Sequence, residues 1–102
     1  MLVDRRIFVA KPFMGGELKE KFIELFESNP WPGGNVRIYT ELVSSFDRVI
    51  VETESENMAA YEKANAQFGQ NMPEGTVDKF RELFGASGTH EMWTLAYAHS
   101  KD

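Results

Sequence analysis

Three segments of the chain alternate polar and apolar residues with a period of two, the mark of β-strands covered on one face. In the first, about Leu2 to Lys11, Asp4, Arg6 and Phe8 alternate with Val3, Ile7 and Val9. In the second, Val36 to Leu42, Arg37, Tyr39 and Glu41 alternate with Val36, Ile38 and Leu42. In the third, Asp47 to Thr53, Arg48, Ile50 and Glu52 alternate with Val49 and Val51. The valine and isoleucine sets predict a surface on which helices pack. The other set mixes arginine, carboxylate and aromatic side chains, which suits a closed, partly wet cavity better than a dry core.

Helical periodicity fills the spaces between. Leu18, Phe22, Leu25 and Phe26 form one stripe of a helix over about Glu17 to Glu27, and Pro12, Gly15 and Gly16 separate it from the first strand. The turn formers of Ser28 to Asn35 stop it. Ser55 is a natural N-cap for a second helix reaching about Phe68, with Met58, Tyr61, Ala64 and Phe68 inward. Thr76 caps a shorter helix to Phe84, with Val77, Phe80, Leu83 and Phe84 apolar and Gly85 as its C′ residue. Ala86-Ser87-Gly88 then leads into a last strand, about Thr89 to Ala98.

Val43-Ser44-Ser45-Phe46 is short enough to close a hairpin. Centring the turn there sets Glu41 against Arg48, Tyr39 against Ile50 and Arg37 against Glu52, so both charge pairs have opposite sign. The order β-α-β-β-α-(α)-β with right-handed crossovers gives an α+β, ferredoxin-like βαββαβ fold. It has a four-stranded antiparallel sheet with its helices on one face. The 102 residues fit a single domain, 1–102. Phe8, Tyr39 and Ile50 on the uncovered face would meet water in a monomer, so a homodimer packed sheet to sheet is expected.

A net charge of −5 without a basic run argues against nucleic acid and against an anionic membrane surface as partners. There is no cysteine, which excludes disulfides, thiol catalysis and thiolate metal sites. The first residues enter a strand pattern, and no apolar run approaches a membrane span, so the cytoplasm is the default location.

The segment Asp4-Arg5-Arg6-Ile7-Phe8, followed by Lys11-Pro12, resembles the opening strand of NIPSNAP-like small proteins of the dimeric α/β-barrel superfamily. That strand has an acid-x-Arg-x-aromatic pattern and ends in a Lys-Pro-Gly turn. Phe13 stands where the turn glycine is expected, and Gly15-Gly16 follow later, which implies a rebuilt turn. His90-Glu91-Met92-Trp93-Thr94-Leu95 is similar to the aromatic closing strand of these proteins. The resemblance implies the dimeric α/β-barrel fold. Its functional implication is broad, since the superfamily holds cofactor-free monooxygenases, haem enzymes, lactone isomerases and dehydratases.

Candidate chemistry gathers on the polar set. Arg6, Arg37, Glu41, Arg48 and Glu52 suit a polar or anionic ligand, Arg being matched to bidentate carboxylate recognition. Equally, Glu41 with Arg48 and Arg37 with Glu52 only neutralise one another across the hairpin. Arg6, with only Asp4 on its own strand, is expected to be the uncancelled cation of a cavity facing away from the helices. Phe8, Tyr39 and Trp93 could stack on a flat ligand or fill a dimer seam. His90 is a general-base candidate or a surface residue at a strand start. If Trp93, Leu95 and Tyr97 pack on the helices, then His90, Met92, Thr94 and Ala96 face the cavity; the opposite phase is also open. Two histidines without cysteine make a metal site improbable, and the sequence implies no cofactor. The expected function is binding of a small aromatic or anionic molecule in a barrel cavity. The alternative is a cofactor-free monooxygenase or isomerase-type enzyme acting on an aromatic or polyketide-like substrate.

Overall fold

The computed structural model describes residues 1–41 and 47–101. Seven elements follow in order: β1 (Leu2–Ala10), α1 (Gly15–Ser28), β2 (Val36–Thr40), β3 (Arg48–Ser55), α2 (Met58–Gln70), α3 (Thr76–Arg81) and β4 (Phe84–Thr94). The strands form one antiparallel sheet in the order β2-β3-β1-β4. β1 and β3 are therefore central, and the expected ferredoxin-like topology is present.

The hairpin register agrees with the charge pattern. Arg37 lies opposite Glu52 and Tyr39 opposite Ile50. Glu41 stands just past the ladder and holds Arg48 by its carboxylate, which accepts from the Arg48 backbone N–H at 2.9 Å and from Nε at 3.4 Å. The proposed turn, Val43 to Phe46, and Leu42 lie outside the described residues.

The helices cover the sheet face carrying Val49 and Val51, as the pattern of β3 predicts. The register then fixes β1: Phe8 is the partner of Val49 and Arg6 of Val51, so Asp4, Arg6 and Phe8 face the helices. Val3, Ile7 and Val9 face the open side. This reverses the phase expected for β1. Both phases of β1 hold apolar and charged residues, so alternation alone cannot choose between them. Packing chooses, because the Phe8 ring lies 4.8 Å from Phe22 of α1 and 5.5 Å from Phe84.

Two apolar clusters hold the layers together. The larger has Leu18, Phe22 and Leu25 of α1 against Val49, Val51, Phe80 and Leu83, with Leu18 and Val49 fully buried. The smaller joins Trp31 to Tyr61 and Ala64 of α2. Phe26 and Phe68 touch both clusters, 5.2 Å apart. Trp31, in the stretch expected only to stop α1, is 8% exposed and donates Nε1–H to the Glu54 carbonyl at 3.0 Å.

Several boundaries differ from expectation for identifiable reasons. Ser55 ends β3, and Asn57 is the α2 cap, its side chain accepting from Ala60 N–H at 2.9 Å. Thr76 opens α3 after Gly75, its hydroxyl donating to Pro73 O at 2.7 Å. β4 begins at Phe84 and takes in Gly85 to Gly88 through register shifts against β1. Gly88 makes this possible, since a Cβ there would stand 2.2 Å from the Ile7 carbonyl oxygen.

The turn after β1 holds a side-chain-bearing residue in a conformation that favours glycine. Phe13 has φ 67°, a left-handed geometry that costs a side-chain-bearing residue about 1–2 kcal/mol. Asp47 holds it there. Its carboxylate accepts from Phe13 N–H at 2.9 Å and Gly15 N–H at 3.1 Å, so it caps α1 from the strand side.

Candidate functional site

A cavity of about 400 Å³ lies between the sheet and the helices. Its walls are mostly aromatic: Phe8 from β1, Phe22 and Phe26 from α1, Trp31, Phe68 from α2, and Phe80 and Phe84 further on. Exposed Asn65, Gly69 and Val77 on α2 and α3 also line it and mark its opening to solvent. On the sheet side the lining is polar at one place, where Asp4, Arg6 and Thr53 meet around Val51.

That polar place is built by the β1–β3 register. Asp4 and Thr53 are cross-strand partners, and Arg6 lies two residues along on the same face. Asp4 is only 5% exposed, and its carboxylate is shared among three groups. Oδ2 accepts from Arg6 Nε at 3.4 Å and from the Tyr61 hydroxyl at 3.3 Å. Oδ1 meets His90 Nε2 in a close contact. The Tyr61 oxygen in turn accepts from Arg6 Nη2 at 3.1 Å. A buried carboxylate needs such partners. Burial pulls the Arg6 pKa down, but the hydrogen bond to Tyr61 and the Asp4 carboxylate outweigh it and leave the pKa raised. Arg6 is therefore charged throughout the working pH range.

Thr53 is different. Its side chain is buried, and among the described residues no group hydrogen-bonds its hydroxyl. A buried hydroxyl without a partner loses the hydrogen bonds water would give it.

Of the residues expected to form a pocket, Arg6 and Phe8 line this cavity, on the helix side and not the open side. Arg6 is also not uncancelled, since Asp4 and Tyr61 hold it. His90 shares the Arg6 face of the sheet, as its cross-strand partner, and stands behind Asp4. Asp4, not Glu91, orients its ring. Tyr39, Glu41, Arg48, Glu52 and Trp93 lie on the open face, away from the cavity. There Glu52 accepts from Arg5 Nη2 at 2.8 Å and from the Tyr39 hydroxyl at 3.4 Å, while Arg37 reaches it at 3.8 Å. Arg37 pairs more closely with Glu54. Trp93 is 55% exposed and donates to Glu91 Oε1 at 3.1 Å. Trp93 and Leu95 thus do not pack on the helices.

Sequence reasoning missed Thr53, Tyr61 as a polar partner, and Trp31. The signal for Thr53 was a hydroxyl on the face shared with Val49 and Val51, where an aliphatic residue was due. Among the described residues no three metal-ligating side chains converge, and no helix is long and apolar enough to cross a membrane.

The sequence matches no protein-family model and no curated protein. Solved structures do match. An uncharacterized NIPSNAP domain protein from Burkholderia xenovorans superposes with a TM-score of 0.74 at 9% identity, over 98% of this chain and 100% of that one. An uncharacterized NIPSNAP-like domain protein from the same organism gives 0.72 at 16% identity, over 97% and 89%. A variant of SnoaB, a cofactor-independent oxygenase from Streptomyces nogalater, gives 0.71 at 15% identity, over 98% and 97%. The chain has the α+β, ferredoxin-like fold shared by NIPSNAP-like and antibiotic biosynthesis monooxygenase-like proteins, in line with the resemblance carried by its first and last strands.

Proposed function

We propose that this chain binds a small, mainly apolar organic molecule in the cavity between sheet and helices. The observation that carries the reading is the aromatic-walled cavity of about 400 Å³ itself, open between α2 and α3 and polar at one place on its sheet side. Cavities of roughly 300–1,000 Å³ with few polar groups on apolar walls are typical small-molecule sites. An aromatic ligand would stack on the phenylalanine walls and present one polar group to Arg6.

We further propose that two copies pair through the open sheet face. Tyr39 is 43% exposed, Trp93 55% and Leu95 43%, all on that face or its continuation, beside Val3, Ile7 and Val9. Burying such a patch is favourable by about 25 cal/mol per Å² of apolar surface. Changing Trp93 to Lys should then shift sedimentation at micromolar concentration from a two-chain to a one-chain mass. A one-chain mass for the unaltered protein would dismiss the pairing. A cytoplasmic location is part of the same proposal.

The second reading is a cofactor-free enzyme, and the likeness to an oxygenase fold draws attention to it. Chemistry favours binding. Among the described residues lining the cavity, Asp4 is the one carboxylate, and Arg6, Tyr61 and His90 already occupy it. With those partners on both oxygens, the carboxylate is poorly placed to reach a proton of a ligand in the cavity.

The test uses Trp31, which lines the cavity, in a Trp93→Phe background that leaves it as the single tryptophan. Titration with small aromatic compounds should change Trp31 emission and saturate at one ligand per chain. A filled variant, Val51→Trp read by thermal shift, should lose the binding. Absence of any saturable response across the compounds would end the proposal.

A further inference from the structure

The polar end of the cavity can change its net charge by one proton. We infer that an organic anion binds in the cavity together with a proton taken up by His90, so that pH sets the preference between an anionic ligand and a neutral one of the same shape. This linkage presupposes the proposed binding role and adds its regulation.

The Asp4 carboxylate is divided between two sets of partners. Arg6 and the Tyr61 hydroxyl both reach Oδ2, and Asp4 and Arg6 both line the cavity. His90 meets the other oxygen, Oδ1, from the neighbouring strand β4. With a neutral imidazole, one guanidinium offsets one carboxylate. An anion arriving at Arg6 then draws on the positive charge that Asp4, 5% exposed, depends on. With a protonated imidazole, the same three side chains carry two positive charges against one negative. Arg6 can turn its charge to the ligand while His90 holds Asp4. Nε2 can donate to Asp4 in either protonation state, so the contact persists and only the charge changes.

The proton has access. The His90 side chain is 45% exposed, against 6% for Asp4, so the ring can exchange protons with water while the carboxylate stays covered. Glu91, next along β4, points to the opposite face, where it accepts from Trp93. Among the described residues, the charged and titratable groups gathered at the ring are therefore Asp4 and Arg6 of β1 and Tyr61 of α2, which is hydrogen-bonded to both. One added charge behind Asp4, partly screened by solvent, should change anion affinity about fivefold.

The experiment compares naphthalene-2-sulfonate with naphthalene-2-sulfonamide, which share a shape and differ in charge at every pH used. Calorimetric titrations at about pH 6 and about pH 8 bracket the titration of an ordinary imidazole. The sulfonate should bind the unaltered protein about fivefold more tightly at the lower pH, and the sulfonamide about equally at both. By linkage, titrations at about pH 7 in two buffers of different ionisation enthalpy should show net proton uptake with the sulfonate and none with the sulfonamide. His90→Gln keeps an amide donor for Asp4 but takes up no proton, so it should abolish the pH dependence. His99→Gln, at the chain's other histidine, should retain it. Proton uptake is measured on the unaltered protein, so it decides the matter if His90→Gln does not fold. Sulfonate affinity that is flat between the two pH values, or a pH dependence that survives His90→Gln, would overturn the linkage. Sulfonamide binding in the same titrations would leave the cavity reading standing. Binding of neither probe at either pH would remove the cavity reading and the linkage with it.

Discussion

Replacing Arg6 with Met tests whether the polar end of the cavity is held together by charge. Taken alone, the sequence suggests a tolerated change, because it leaves Arg6 without a partner. The structure suggests otherwise. Asp4 is 5% exposed and would lose its cationic partner, keeping only the Tyr61 hydroxyl and His90. Removing one member of a fully buried ion pair costs about 3–5 kcal/mol. The Arg6 side chain is 41% exposed, however, so water screens part of the interaction. The 3.4 Å separation is also long for a charge-assisted hydrogen bond. Together these reduce the expected loss to about 1–2 kcal/mol. Urea denaturation of Arg6→Met, Asp4→Asn and the double variant gives the coupling directly. The double variant should be more stable than the two single losses predict, by about 1 kcal/mol or more. A coupling below about 0.3 kcal/mol, within the usual additivity of independent sites, would refute the argument that the two groups stabilise each other.

Other expectations follow from single features. Phe13→Gly should stabilise the protein by about 1 kcal/mol in denaturant titration, because the left-handed φ suits glycine and the side chain is 96% exposed with no packing to lose. Gly88→Ala should destabilise by more than about 2 kcal/mol, since its Cβ would collide with the Ile7 carbonyl where β4 shifts register. Glu54 titrates below its ordinary 4.5 because Arg37 hydrogen-bonds it, although partial burial opposes this and Asn35 assists. A lowered folded-state pKa gives stability that is present above the unfolded value and lost as pH falls through the folded one. The stability difference between the unaltered protein and Glu54→Gln should therefore shrink below about pH 4.5, and a difference that is flat from pH 6 to 3 would contradict the pairing.

The topology was legible because it rests on patterns that packing does not change. The Leu18–Phe22–Leu25 stripe, the turn formers before β2 and the sign match of Arg37 with Glu52 each point to one arrangement, and all three are found. The face of β1 was not legible, because Val3, Ile7 and Val9 compete with Leu2, Phe8 and Ala10 on nearly equal hydrophobic terms. What decides between them is tertiary: Tyr61 and His90 supply partners that let a buried aspartate and an arginine share the helix side. The candidate site therefore split, with Arg6 and Phe8 in the cavity under the helices and Tyr39, Glu52 and Trp93 on the open face. The clamp of Asp47 on Phe13 joins residues 34 apart in the chain, and no local motif announces it.

The central claim is that ligand binds between the sheet and the helices, and not on the open face. Nuclear Overhauser contacts from bound 2-acetylnaphthalene to assigned ring protons test it most directly. The account predicts contacts to Phe22, Phe68 and Phe80, and none to Tyr39 or Trp93. Contacts confined to Tyr39 and Trp93 would place the ligand on the open sheet face and contradict it.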